Sequence, residues 1–289
     1  MQSLQLCVRR SLAGNAPPGG TYARAVTDPS LAPADLFSLE GRTALVTGGT
    51  RGIGAMVAAG LLAAGARVLV TGRDAAEVEA AAGEGIVADL ATTGGARALA
   101  EEVARRTDRL DVLVNNAGAW SFAPIDAIDE DEWDAVHHLN VKVVHYLTVA
   151  LLPLLEAGAT EAEPARVVNI GSTEGIDTPV MPTTAYSTSK AAVHMLTRHH
   201  AAQLVDRHVL VNAIAPGLFP TRMSSFLDVP ELRDAALGTI PLQRAGRPEE
   251  IAGTVVFLAS RAGGYVTGQV LVVDGGRSGI GRADPISGL

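Results

Sequence analysis

The sequence predicts an α/β fold: a single Rossmann-type, doubly wound domain with a seven-stranded parallel sheet. Three features predict it. Short, continuously apolar runs recur along the chain, longer amphipathic segments separate them, and a glycine-rich turn follows the first apolar run directly. Unbroken apolar strands belong to sheets covered on both faces, and helices between them make the parallel crossovers.

The elements follow in order. Residues 42–47 (RTALVT) read as the first strand, the glycines come next, and residues 53–64 read as a helix. Residues 67–71 (RVLVT) are a second strand and residues 86–89 a short third. A helix over 96–106 leads to a strand at 110–114 (LDVLV). Residues 133–155 form a long helix with Pro153 near its end, followed by a strand at 166–170 (RVVNI). A helix over 185–204 and strands at 209–214 (VLVNAI) and 269–273 (QVLVV) complete the series. With no internal repeat and no change of composition, one domain over 36–289 is the expected count.

Residues 1–35 lack this periodicity and carry Pro17-Pro18-Gly19-Gly20, which reads as a flexible leader. From Met1 to Thr27 the chain has no Asp or Glu but has Arg9, Arg10 and Arg24, a composition also found in organelle transit peptides. A cytoplasmic location is expected, with mitochondrion or plastid as the alternative if that segment is a targeting peptide.

Composition excludes several function classes. Apolar residues are 47% and charged residues 19%, the balance of a globular chain. A formal net charge of −8 offers no field to attract a nucleic-acid backbone. No uninterrupted apolar stretch reaches the roughly 18–20 residues of a membrane span. Cys7 is the single cysteine, so no intrachain disulfide or cysteine-based metal site can form. The pairs His137-His138 and His199-His200 lack the i, i+4 spacing of a zinc-binding helix and read as surface or packing residues. Glu101-Glu102 and the acidic run at 129–132 read as solvated helix faces or starts, and Glu174 as a loop carboxylate in water.

Gly48-Gly49-Thr50-Arg51-Gly52-Ile53-Gly54 joins the first strand to a helix. Glycine allows unusual dihedrals and close backbone approach, and the helix N-terminus adds unpaired N–H groups, together suiting a pyrophosphate. The position where an NAD-binding chain carries an acidic ribose ligand is Gly72 here, followed by Arg73, and Asp74 falls too late. A 2′-phosphate needs cationic donors without a nearby carboxylate, and Arg51 and Arg73 supply them, so NADP(H) is the expected cofactor.

Tyr186-Ser187-Thr188-Ser189-Lys190 sets a phenol and an ammonium on one helix face. A nearby ammonium favours the phenolate and is expected to lower the tyrosine pKa toward a useful range. Ser172 closes a strand, where ligands sit in parallel sheets, 14 residues before Tyr186.

Taken together, Gly48/Gly52/Gly54, Asn115-Asn116-Ala117-Gly118, Ser172, Tyr186-x-x-x-Lys190 and Pro216-Gly217 resemble the short-chain dehydrogenase/reductase family over about residues 36–276. The resemblance implies a catalytic set of Asn140, Ser172, Tyr186 and Lys190. Tyr186 would protonate the carbonyl oxygen, Ser172 would hold it, Lys190 would tune the phenol and bind ribose hydroxyls, and Asn140 would support a water relay to the lysine. The implied cofactor contacts are Gly48, Thr50, Arg51, Gly52, Ile53, Gly54, Arg73, Asp89, Leu90, Asn116, Ala117, Gly118, Tyr186, Lys190, Pro216, Gly217 and Thr221. Asp89 would lie near the adenine and Thr221 near the carboxamide.

It also implies a carbonyl reduction of the 3-oxoacyl type on a small-molecule substrate, without metal, nucleic acid or membrane. The alternatives are oxidation of an alcohol or polyol, and a non-catalytic dinucleotide sensor. A homotetramer or homodimer through the helices at 133–155 and 185–204 is expected. After Pro216-Gly217, Phe219, Met223, Phe226 and Leu227 read as an apolar lid or as packing, with Arg222 available to an anionic carrier.

Overall fold

The computed structural model describes residues 31–92, 94–179 and 181–280. Most of the expected leader, residues 1–30, and the last residues, 281–289, lie outside the described residues. The stretch just before the expected domain start holds a short helix, α1 (Pro33–Leu36).

Among the described residues the sheet has seven strands in the order β3-β2-β1-β4-β5-β6-β7, every pair parallel. They are β1 (Thr43–Val46), β2 (Arg67–Gly72), β3 (Glu84–Val87), β4 (Val112–Asn115), β5 (Ala165–Ile170), β6 (Val209–Pro216) and β7 (Val270–Val273). The seven-stranded parallel sheet expected from sequence is therefore present. The third strand lies two residues earlier than the apolar run suggested. Gly85 sits beneath Val78, where a Cβ would come within 2.5 Å of the valine, so close packing at this glycine starts the strand ahead of its one buried apolar side chain, Ile86.

Successive strand residues feed opposite layers, which explains why the runs are apolar throughout. Leu45, Leu69, Leu113 and Val167 join a core with helices α4 (Gly95–Arg106), α6 (Val143–Glu156) and α7 (Thr184–Leu204). Val46, Val70, Val114 and Val168 join the other core, with α2 (Gly52–Ala63) and α9 (Pro248–Ala259). The strand order reverses at β1/β4, so the crevice at their carboxyl ends is where this topology places a ligand.

The expected long helix is three segments: α5 (Glu130–His137), a π-helical stretch at His138–Lys142, and α6. Together they are long and apolar enough on average to cross a membrane. Here the apolar face of α6, including Leu147, Leu151 and Leu155, is buried in the core instead. Asp129 caps α5 by accepting from the Glu132 N–H at 2.7 Å, which accounts for that acidic run. Two further helices, α3 (Ala75–Glu79) and α8 (Pro230–Gly238), join the chain between β2 and β3 and between β6 and α9.

Candidate active site

The crevice is built on Thr47. Its hydroxyl accepts from Asn116 N and Ala117 N at 2.9 and 3.0 Å and donates to Val114 O at 3.3 Å. The Asn116 amide donates to Thr47 O at 2.9 Å and Gly48 O at 3.0 Å, riveting the glycine turn to the segment after β4. Gly48 sits at φ +62°, and a Cβ on Gly54 would stand 2.1 Å from Gly48 O. No side chain other than hydrogen fits at Gly54.

The N-terminus of α2 has no side-chain cap and no acidic residue in its first turn. Its unpaired N–H groups and partial positive charge suit a phosphate, and the glycine cradle gives one room to approach. Ile53 packs on the core below, and the Thr221 side chain stands beside Gly52. Pro216 ends β6, and Gly217 N donates to Val273 O at 2.9 Å, holding that strand end in place. These residues fit a dinucleotide.

The 2′-phosphate end departs from expectation. Arg51 donates to both oxygens of Glu77, at 3.1 and 2.8 Å, and Arg222 donates to the same carboxylate at 3.0 Å. Thr50 reaches it at 3.4 Å. A carboxylate therefore stands where none was expected, because the first turn of α3 brings Glu77 back over the glycine turn. Arg222, read as available to an anionic carrier, is engaged there. Arg73 is exposed, with no ion pair among the described residues. Asp74 caps α3 by accepting from Glu77 N at 2.9 Å, so its carboxylate is committed to the backbone. Asp89 is exposed and accepts from Ala91 N at 2.9 Å, while Leu90 is buried in the core.

The other end gathers the proposed reacting groups. Ser172, two residues past the end of β5, acts on the Tyr186 phenol and favours its ionised form. Lys190 Nζ lies 5.6 Å from the Tyr186 ring centroid and donates to Ile170 O at 2.7 Å. Asn140 is buried in the π-helical stretch, a feature frequent at functional sites. Its side chain accepts from Ala119 N at 2.8 Å and donates to Ala119 O and Ser189 Oγ, both at 2.9 Å. Ser189 Oγ in turn donates to Tyr186 O at 2.7 Å. A Cβ on Gly118 would lie 3.0 Å from Asn140 Oδ1 and 3.7 Å from Lys190 Nζ. The stretch Asn116-Ala117-Gly118 thus touches the glycine turn at one end and the lysine at the other.

The electrostatics correct one expectation. Burial pushes the Tyr186 phenol up to about 12, opposed by the Ser172 hydroxyl and reinforced by the Glu174 charge. Burial also pulls Lys190 down to about 8. The ammonium faces the ring and a carbonyl oxygen, so desolvation outweighs the lowering expected from the i, i+4 pair.

Glu174 is not a carboxylate in water. It is half-buried and accepts from Thr183 Oγ1 at 2.6 Å and Ser187 Oγ at 3.2 Å. Phe219 is core, packed against Gly246, so it forms no part of a lid. His137 stacks on Trp133 and hydrogen-bonds Thr188, and His200 pairs with His145 at 2.9 Å, so these are packing residues. His199 lies exposed on α7. Sequence reasoning passed over Thr47, Glu77 and Ser189. Only Thr47, directly before the glycines, carried a positional signal.

A family model described as enoyl-(acyl carrier protein) reductase matches residues 48–278. The chain is 46% identical over 249 residues to the rhamnolipids biosynthesis 3-oxoacyl-(acyl-carrier-protein) reductase of Pseudomonas aeruginosa, covering 83% of this chain and 97% of that one. The solved RhlG/NADP active-site complex from Pseudomonas aeruginosa has a TM-score of 0.82 at 46% identity, covering 84% and 98% of the two chains. A gluconate 5-dehydrogenase from Burkholderia cenocepacia, in complex with NADP and tartrate, has a TM-score of 0.78 at 33% identity, covering 86% and 99%. With the sheet order and the Ser-Tyr-Lys cluster in place, the chain belongs to the short-chain dehydrogenase/reductase family.

Proposed function

We infer that the protein is an NADP(H)-dependent oxidoreductase that reduces a small-molecule carbonyl to an alcohol, with a 3-oxoacyl thioester as the favoured substrate class. The observation that carries the reading is the cluster at the carboxyl end of β5: Lys190 Nζ 5.6 Å from the Tyr186 ring centroid and held by Ile170 O, with Ser172 acting on the phenol and Asn140 bonded through Ser189 to the tyrosine's turn. A relative that is a 3-oxoacyl-(acyl-carrier-protein) reductase and a structural neighbour bound to NADP support the substrate class and the cofactor.

When bound, the reduced cofactor supplies the hydride. The Ser172 hydroxyl holds the substrate oxygen, and Tyr186 Oη gives it the proton as charge develops there. A phenol raised to about 12 is fully protonated at neutral pH, the form that reduction consumes. An ammonium has three donors, and Ile170 O takes one, leaving Lys190 two for ribose hydroxyls. Asn140 acts by fixing the Ala119 backbone and, through Ser189, the first turn of α7. Gly48, Gly52, Gly54, Thr50 and Ile53 form the phosphate cradle, with Arg51 and Arg73 on the 2′-phosphate. Asn116, Ala117, Gly118, Pro216, Gly217 and Thr221 line the rest, Leu90 offers only its backbone because its side chain is in the core, and Asp89 would serve the adenine only by leaving Ala91.

The protein is proposed to act in the cytoplasm as one catalytic domain from about residue 36. A homotetramer or homodimer is proposed through α6 and α7, which expose Tyr146, Val149 and Met195. Light scattering reads that state directly. The functional test is NADPH oxidation against acetoacetyl-coenzyme A, simple ketones and 5-ketogluconate, repeated with NADH. Turnover of the thioester with at least about tenfold preference for NADPH is expected, since one charge-assisted pair to the 2′-phosphate contributes that much. Turnover of the sugar ketone alone, or equal use of NADH, contradicts the reading.

A further inference from the structure

We propose that Glu174 is the positioning residue of this site: its carboxylate fastens the turn bearing Ser172 to the first turn of the helix bearing Tyr186, and so sets a negative charge close to the phenol. This rests on the assignment of Tyr186 as the proton donor and extends it to the control of that proton.

The geometry is specific. Ser172 begins a 3-10 turn, Thr173–Gly175, whose backbone folds back so that Glu174 N donates to Ser172 Oγ at 3.2 Å. From the same residue the carboxylate oxygen Oε2 reaches the other way and accepts from Thr183 and Ser187. Thr183 is the N-cap residue of α7, but its hydroxyl makes no cap bond there. It donates to Glu174 instead and lies 3.1 Å from the Ser187 hydroxyl. Ser187 adjoins Tyr186, so three oxygens tie the serine's turn to the tyrosine's backbone. At the other side of the turn a Cβ on Gly175 would stand 2.6 Å from the Lys190 carbonyl carbon. The turn is therefore pinned on both flanks of the phenol, by close packing at Gly175 and by the carboxylate at Glu174.

Other carboxylates lie on neighbouring segments, Asp177 just past the turn and Glu130, Asp131, Glu132 and Asp134 on α5, but Glu174 is the one whose charge acts on the phenol. On α7 itself the titratable neighbours of the phenol are Lys190, against its ring, and His194, one turn beyond. The π-helical stretch brings His138 and Lys142, and α5 brings His137, which hydrogen-bonds Thr188. Strand β6, packed beneath α7, has no titratable side chain. Glu174 is the carboxylate that acts on the phenol, and its charge raises the phenol pKa. Buried or half-buried charges interact through a low effective dielectric, so the effect survives salt.

The test is kcat and kcat/KM for acetoacetyl-coenzyme A reduction across the neutral to alkaline range, for wild type, Glu174→Gln, Glu174→Asp and Tyr186→Phe. NADPH affinity by tryptophan fluorescence and thermal unfolding are measured on the same samples. Glu174→Gln is expected to lower kcat about tenfold and to move the alkaline fall of kcat/KM, to which Lys190 and Tyr186 both contribute, to lower pH, because loss of the anion disfavours the lysine's ammonium and favours the phenolate. Glu174→Asp keeps the charge but is one methylene short, so its alkaline limb stays at the wild-type position while kcat falls. NADPH affinity stays within about twofold in both. An alkaline limb in Glu174→Gln unmoved from wild type, with Tyr186→Phe inactive, overturns the role of Glu174 alone. Full turnover by Tyr186→Phe removes the assignment beneath it, and the proposal with it. A limb displaced equally by Gln and Asp overturns the charge argument.

Discussion

The two ends of the crevice are held by different physics. At the glycine turn the fold uses backbone: Thr47, Asn116 and the α2 N-terminus shape a cradle, and the charges above it are exposed ion pairs. At the Ser-Tyr-Lys end the polar groups are largely buried, and solvent exclusion moves their pKa values in opposite directions. Exposed pairs are exchangeable and contribute little to stability, whereas buried groups cannot be rearranged without leaving a partner unsatisfied. On the proposed reading, the difference separates binding from chemistry. One end can trade a carboxylate for a phosphate, while the other keeps a fixed proton.

Substitutions can break this comparison. The largest effect is expected from Gly54→Ala, because its methyl would sit 2.1 Å from Gly48 O and the turn must move. Calorimetric titration should show NADPH affinity reduced by at least about a hundredfold, the equivalent of about 2.7 kcal/mol. Unaltered affinity would mean that phosphates do not use this cradle. Next, Arg51→Ala and Arg73→Ala should each raise the NADPH Michaelis constant about tenfold and leave that for NADH unchanged. If Arg73→Ala changes nothing, the 2′-phosphate site consists of Arg51 and its neighbours alone.

Glu77→Gln sharpens the comparison in the opposite direction. It frees Arg51 and Arg222 from a competing carboxylate, so NADPH should bind about two- to fivefold tighter at low salt, a gain that fades as salt screens it. The smallest effect concerns stability. His194 and His200 are held neutral, pulled down to about 4 chiefly by burial. The unfolded chain takes up protons below the ordinary value of 6.5, so stability is lost as pH falls from about 6.5 toward 4. His200→Gln should flatten that acid slope by about 1–2 kcal/mol in denaturant titrations. An unchanged slope would place the acid sensitivity elsewhere.

The fold was legible because strands buried on both faces leave unbroken apolar runs, and six of the seven stand close to where those runs lie. β3 was displaced because a glycine packed under Val78 carries no apolar signature. α9 has readable signals, with Pro248 at its start, Glu249 and Glu250 in its first turn and Ile251, Val255 and Leu258 along one face. The period of the strands overshadows them. The π-helical stretch has no sequence signal, because an extra residue in a turn leaves residue types unchanged.

At the site, spacing pointed to Tyr186, Lys190 and Ser172, the family resemblance added Asn140, and the fold sets the four near one another. What spacing could not give was sign and occupancy. Glu77 reaches Arg51 from 26 residues away, and the helix turn that aims it there is a tertiary feature. The direction of the Tyr186 shift depends on how much solvent is removed, which a pair of letters four apart does not encode.

The most direct measurement pairs turnover with cofactor affinity in Tyr186→Phe. Loss of the phenol proton with the glycine end untouched should lower kcat by at least about a hundredfold while NADPH binds as in wild type. Wild-type turnover by the phenylalanine variant, with the same NADPH affinity, would contradict the account by showing that the proton comes from another group.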